Sequence, residues 1–367
     1  MLSFSKSDKV LVVAPHPDDE SLGVGGLLQR IFAQKVPVRI LFATNGDNNP
    51  WAQRYWERTW VIGDIERTRG GQRRREEALR AIGVLGGTSE SAKFLDLPDL
   101  GTTDLLMKGA AGLSGRVAAE IREWQPTVAL IPAMFDAHPD HSALSVAVSM
   151  ALDMAEGAAI RAWEYLVHKP KAPILQTPVR LLLSAEEVER KRQAILCHET
   201  QVALSRRRFT SFAKLEEVYF PHDWQTAGDF GPLEAEGRLY EGVLRLRFKL
   251  SRGERFRSKI LLAFKSGETN EHRWLLPLPV RSGEAQVWDT IRSQRLPNAI
   301  VRWTPRKLLV EIPVSGTSEF DLAYAKFSGW TLFFDRSGWV QFTLLPSLEK
   351  NLVPEKGAEV SSLVTLL

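Results

Sequence analysis

The chain has 367 residues, 44% hydrophobic and 25% charged, an ordinary balance for a soluble globular protein and enough for one large core or two modest ones. A net charge of +4, without a long basic arm or an aromatic nucleic-acid motif, gives no support to a DNA or RNA partner, and no run approaches the roughly 18 apolar residues of a membrane helix. The amino terminus lacks the apolar core and cleavage site of an export signal, and a lone Cys197 excludes an intramolecular disulfide, so a cytoplasmic setting is expected.

Val10 to Ala14 is a β-branched run bounded by Pro15, which predicts a strand, a tight turn and then a helix. Helical spacing at about 21–34, 68–85, 115–124, 142–156 and 185–204 alternates with strand patterns near 10–14, 37–43, 92–95, 127–132, 160–167 and 178–183. Such alternation predicts an α/β fold with a Rossmann-like, mostly parallel sheet and helices on both faces. Cys197 falls on the apolar face of the last helix and is expected to be a buried structural thiol. Gly23 to Gly26 lacks the spacing of a nucleotide loop, and helix packing explains it.

Between the second strand and the next helix, Trp51, Tyr55, Trp56 and Trp60 recur at i, i+4, i+5 and i+9, which predicts the apolar face of a covering helix; a lid gripping substrate is the alternative. Arg67, Arg69, Arg73, Arg74 and Arg75 follow, either as a solvated face or as a phosphate-binding group suited to a phosphate-bearing N-acetylglucosamine derivative. From about residue 237 the period becomes two. Leu244, Leu246, Phe248 and Leu250 alternate with Arg245, Arg247 and Lys249, and further short runs extend to about residue 344, predicting an all-β sandwich-like unit of roughly seven strands. The boundaries expected are 1–225 and 237–367. Trp274, Trp288, Trp303, Trp330 and Trp339 read as core residues of that second unit, with stacking on sugar rings as the alternative.

Two clusters carry the chemistry. His16-Pro17-Asp18-Asp19-Glu20 follows the first strand, and His138-Pro139-Asp140-His141 follows Val128 to Pro132. In an open parallel sheet such strand-end turns gather at the carboxyl edge, where ligands bind at the point of reversed strand order. Two imidazoles and one carboxylate with open positions form the ligand set of hydrolytic zinc and of some iron sites. If Asp19 takes a metal, Asp18 points elsewhere and can accept a proton from water; Glu20 and Asp140 read as capping or supporting carboxylates.

These two clusters, in this order and separation, resemble the signatures of the PIG-L/LmbE-like metal-dependent N-deacetylases. Thr44-Asn45-Gly46, Arg74, Glu77, Ala81, Leu85, Gly86, Asp99, Lys191, His198 and Gln201 fit further motifs of that family, with Thr200 where Ser is usual, over about residues 8 to 220. The resemblance implies His16, Asp19 and His141 as ligands of zinc, with ferrous iron as an alternative, and Asp18 as general base. His138 would be the second catalytic residue, kept protonated by Asp140 or another carboxylate, while Arg74 and Asp99 would contact the sugar. Where some members carry Tyr two residues before the second signature, this chain has Asp136.

The implied reaction is hydrolysis of the acetamide of an N-acetylglucosamine-type sugar or glycoconjugate. The competing readings are an amidase for another N-acyl compound and a non-catalytic carbohydrate-binding protein. Neither the oligomeric state nor the pathway is legible in the chain.

Overall fold

The computed structural model describes residues 3–153, 160–169, 174, 177–222, 234–249, 259–266, 270–314, 320, 322–328, 338–342 and 344–345. Its first half is built on a seven-stranded sheet. The strands are β1 (Val10–Ala14), β2 (Val38–Thr44), β3 (Ala92–Leu97), β4 (Val128–Pro132), β5 (Arg161–Tyr165), β6 (Val179–Leu182) and β7 (Glu216–Pro221), in the spatial order β3-β2-β1-β4-β5-β7-β6. The first five run parallel, β7 runs antiparallel to β5, and β6, paired antiparallel with β7, runs in the direction of the first five. All five residues of β1 are fully buried, as expected of a central strand covered on both faces.

Side-chain alternation divides the core. Val10, Val12 and Ala14 face α1 (Asp19–Ala33), α3 (Asp64–Leu85) and α7 (Ala185–Leu196). Leu11 and Val13 face the opposite side, where α4 (Thr102–Leu106), α5 (Leu113–Trp124) and α6 (Pro139–Asp153) pack. The helix expected in the aromatic segment is the short α2 (Pro50–Glu57), ahead of α3. One element departs from expectation: the helix expected over 185–204 breaks at Cys197-His198, resuming as α8 (Glu199–Val202) and then α9 (Arg206–Thr210). The break frees His198 to turn inward against Glu20, and it leaves Cys197 only half-buried at the end of α7.

Two six-stranded sheets follow, more strands than the seven expected. In one, β14 (Gln294–Arg295), β13 (Trp288–Asp289), β11 (Asn270–Pro277), β10 (Lys259–Ser266), β17 (Leu322–Ser328) and β18 (Val340–Gln341) are neighbours in that order. In the other the order is β12 (Gly283–Ala285), β15 (Ala299–Trp303), β16 (Lys307–Pro313), β9 (Val243–Lys249), β8 (Glu234–Tyr240) and β19 (Leu344–Leu345). Trp274 and Trp339 are buried, Trp303 is half-buried and Trp288 is exposed; Trp330 lies outside the described residues.

The first of these sheets is itself two-faced. Ile260, Leu262 and Phe264 of β10 fill the space between the sheets, whereas Leu261 and Ala263, with Tyr324 and Trp339, join the core under α4, α5 and α6. Gly338 lies so near the Met134 carbonyl that a Cβ there would sit 2.0 Å from its oxygen.

Arg273 of β11 is wholly buried in this contact. Its guanidinium donates to the carbonyls of Leu106, Phe264 and His272 and to Ser114 Oγ and Met150 Sδ, and Glu271 lies 3.3 Å away. Removing one member of a buried ion pair strands the other, at about 3–5 kcal/mol. Arg273→Ala should therefore lower the unfolding free energy of the full chain, read from denaturant titration, by that amount; a value within about 1 kcal/mol of the parent would contradict the role given to this contact.

Candidate active site

The reversal of strand order falls between β1 and β4, so the turns that leave these adjacent strands emerge side by side. After β1, the Pro15 carbonyl accepts from both Thr44 N and Thr44 Oγ1, which ties the turn to the end of β2. His16 N donates to Asp19 Oδ2 at 2.9 Å. Asp18 has φ 150°, a backbone state unfavourable for a non-glycine residue, and Glu20 holds it there by accepting from Asp18 N at 3.0 Å. Glu20 also meets His198 Nε2 at 2.9 Å, consistent with a supporting carboxylate. After β4, Pro139 opens α6 and places His141 in its first turn.

These turns bring His16, Asp19 and His141 to one point. Asp19 Oδ2 lies 3.2 Å from His16 Nδ1 and 3.2 Å from His141 Nε2. His141 is wholly buried, and neither ring nitrogen makes a hydrogen bond of acceptable geometry. Donors sharing a tetrahedral cation at about 2.0 Å stand roughly 3.3 Å apart, so these two separations from Asp19 and the unsatisfied imidazole fit a divalent metal. His16, His138 and His141 also offer nitrogens within 4.8 Å of one another.

The outer partners differ from expectation. Asp140 does not hold His138: its carboxylate faces His16 Nε2 at 3.3 Å and accepts from Leu100 N, Thr102 N and Thr102 Oγ1, donors that converge on it from the loop after β3. His138 Nδ1 instead accepts from Asp140 N at 3.3 Å, which leaves a neutral ring with its proton on Nε2. Burial and the neighbouring His16, His141 and His168 push His138 well below the usual histidine range, so it is not the protonated group expected. A metal dication nearby would act in the same direction.

Two residues escaped the sequence reading. Asp136, noted only as a replacement for Tyr, is fully buried; it accepts from the backbone N–H groups of His138, Val167 and His168 and lies 3.2 Å from His141 Nδ1. Burial opposes its charge, but His141 and His168 hold it far below the carboxylate range. His168 follows β5 at the same sheet edge, and its ring centroid stands 4.8 Å from that of His141. Its position after a strand was the only available signal.

Arg74 and Asp99 are both in the site, engaged first with the chain itself. Arg74 donates to the Gly46 and Pro17 carbonyls and places Nη2 3.1 Å from Asp18 Oδ2. Burial raises Asp18 to about 6 against the pull of Arg74. Asp99 accepts from Asn48 N and faces His16 Nε2 at 3.2 Å. Both line a cavity of about 350 Å³ that Leu204, Arg208, Phe209 and Phe212 also line.

The aromatic segment is not the packed face that its periodicity predicts. Ala52 and Gln53 are the buried residues of α2, whereas Trp51, Tyr55 and Trp60 are 56%, 63% and 84% exposed. The arginines after it are already paired: Arg69 and Arg73 with Glu57, Arg75 with Asp96, and Arg67 with Asn48 Oδ1. These arginines thus meet partners from the chain itself, as a solvated face would.

Ser149, His222 and Glu164 form a second chain of contacts, 2.9 and 2.7 Å long. Ser149 Oγ is buried and spends its proton on the Ser145 carbonyl, so the chain ties α6 to β5 and β7 without offering a nucleophile.

Gly46 has φ +60°, and a Cβ there would lie 1.9 Å from Arg74 Nη1. Gly46→Ala is thus expected to displace Arg74 from Asp18 and to lower stability by more than about 1 kcal/mol. Thermal unfolding checks this, and an unchanged Tm would contradict it.

The PIG-L family, described as GlcNAc-PI de-N-acetylase, matches residues 11–152. The chain is 27% identical over 141 residues to a diacetylchitobiose deacetylase of Thermococcus kodakarensis, covering 38% of this chain and 46% of that one. It is 30% identical over 158 residues to a 1D-myo-inositol 2-acetamido-2-deoxy-alpha-D-glucopyranoside deacetylase of Mycobacteroides abscessus, covering 40% and 56%. It thus spans about half the length of these relatives. A solved structure of a conserved protein from Thermus thermophilus aligns with TM-score 0.44 and 25% identity, over 58% of this chain and 94% of that one. Residues 11–152, which contain His16, Asp19 and His141, form a domain of the PIG-L family, and the two sequence relatives above are deacetylases.

Proposed function

We propose that this protein is a zinc-dependent N-deacetylase hydrolysing the acetamide of an N-acetylglucosamine-type sugar or glycoconjugate, with ferrous iron as the alternative metal. The observation that carries the reading is the approach of His16 Nδ1 and His141 Nε2 to one oxygen of Asp19, with Asp18 adjoining. His16, Asp19 and His141 would hold the cation, which polarises the acyl oxygen and strengthens water as a nucleophile.

The remaining work falls to the chain. Asp18 takes the proton from the attacking water and returns it to the leaving nitrogen, acting as base and then as acid. Arg74, 3.1 Å away, keeps that carboxylate turned toward the cavity. His138 donates from Nε2 to the acyl oxygen as negative charge gathers there, a contribution of about 3 kcal/mol. Asp136 and Asp140 orient the outer nitrogens of His141 and His16. The apolar wall of Leu204, Phe209 and Phe212 favours one second reading, a longer acyl group, which identification of the released acid distinguishes.

Three variants test the assignment. Asp18→Asn is expected to lower kcat at least about 100-fold while bound metal stays at the parent level. His141→Ala should lose the metal itself, and Asp140→Ala should weaken metal affinity about 10- to 100-fold in competition with a chromophoric chelator. Parent-level acetate release by Asp18→Asn, or full metal content in His141→Ala, would remove the reading.

A further inference from the structure

The mouth of the cavity has two lips that neither the chemistry nor the core explains. One is α2 with its connection into α3, where Val61 and Ile65 are 78% and 74% exposed in addition to Trp51, Tyr55 and Trp60. These side chains are not scattered. The Arg54 guanidinium stands 5.1 Å over the Trp51 ring, and its Nε donates to the Trp60 carbonyl at 3.0 Å, so one arginine joins the two tryptophans. Of the acidic residues on this lip, Glu57 and Glu66 are drawn off by Arg69 and Arg73, while Asp64 and Arg58 are both exposed, so this lip docks through its apolar side chains rather than its charge.

The second lip is α8 and α9, which adjoins the first because α2 packs against α8. Leu204 is 41% exposed, Arg206, Arg207 and Arg208 are all exposed, and Ser205 to Lys214 contains no acidic residue. Trp51 from one lip and Leu204 and Arg208 from the other line the cavity itself. A substrate confined to the cavity would meet those three, but Tyr55, Trp60, Val61 and Ile65 lie outside the lining and call for a broader occupant.

Indole and phenol rings combine an apolar body with a polar edge and settle at the level of lipid headgroups, and neighbouring arginines attract anionic headgroups. We propose that the two lips form a docking surface for an anionic lipid bilayer, which seats the cavity mouth at the headgroup plane. Aromatic and aliphatic side chains on one lip enter the interface, and the arginines of the other meet its charge.

Flotation of the full chain with lipid vesicles tests this without any turnover, so its failure is separate from failure of the deacetylase reading. The chain should float with vesicles of equal parts phosphatidylcholine and phosphatidylglycerol, float less with phosphatidylcholine alone, and be released by salt. Tyr55→Ser with Trp60→Ser should weaken partitioning at least about tenfold, with circular dichroism and Tm at parent values. Arg206→Glu with Arg207→Glu, a second variant on the other lip, should abolish the preference for the anionic vesicles. Failure of the full chain to float with either vesicle, or equal flotation of both variants and the parent, overturns the proposal. Weakened hydrolysis of a soluble conjugate bearing an apolar aglycone by the Tyr55/Trp60 variant, without vesicle binding by the parent, assigns the lips to substrate and overturns it too.

Discussion

The adjacency of β1 and β4 is the constraint on which the site rests. Because the strand order reverses there, the turns carrying His16 to Glu20 and Asp136 to His141 leave the sheet through one opening. Buried charges concentrate in that opening: Asp18, Asp19, Asp99, Asp136 and Asp140 surround His16, His138, His141 and His168. An ion removed from water without compensation is penalised by several kcal/mol, so such a group survives only where every member has partners. Backbone amides and imidazoles supply them to the carboxylates, His141 is left without a hydrogen bond at either ring nitrogen, and the consequence is a site whose geometry is set in advance with one imidazole open to a cation.

Much of this was legible in the chain because the determining features are local. The apolar runs of β1 and β4, Pro15, and the His/Asp clusters that follow specify strand, turn and helix within about ten residues each. The pairing between imidazoles and carboxylates was not local. Asp140 turns to His16 because three donors from the loop after β3 converge on it, and nothing in His138-Pro139-Asp140-His141 encodes that loop's position. His168 stands alone in sequence, without a companion that would single it out. Likewise the stripe of Trp51, Tyr55 and Trp56 reports that α2 is one-sided, but periodicity does not say which side meets water. In the second half, β12, β13 and β14 are two or three residues long and too short for alternation to reveal.

The cavity and its rim divide the recognition problem by chemistry. Its inner wall is ionic and hydrogen-bonding, with Asp18, Arg74, Asp99 and His138 tied into the turns of the sheet edge. Its apolar lining, Leu204, Phe209 and Phe212, comes from α9 and the segments flanking it, which are short and partly exposed, with Gln201 and Arg208 beside them. Polar groups held on the sheet keep their positions when the short helices change, so under the proposed function selectivity among conjugates can vary in those helices while the polar centre stays constant.

The two-faced sheet behind α6 has a bearing on how this chain can be divided. Leu261, Ala263, Leu322, Tyr324 and Trp339 complete the hydrophobic core beneath α4, α5 and α6, and Lys326 Nζ lies 3.5 Å from Ser142 Oγ, the residue after His141. A truncated polypeptide ending near residue 225 would uncover that apolar floor directly under the helix that carries His141. The later sheets are therefore better regarded as the back wall of the unit that carries His16, Asp19 and His141 than as a detachable appendage.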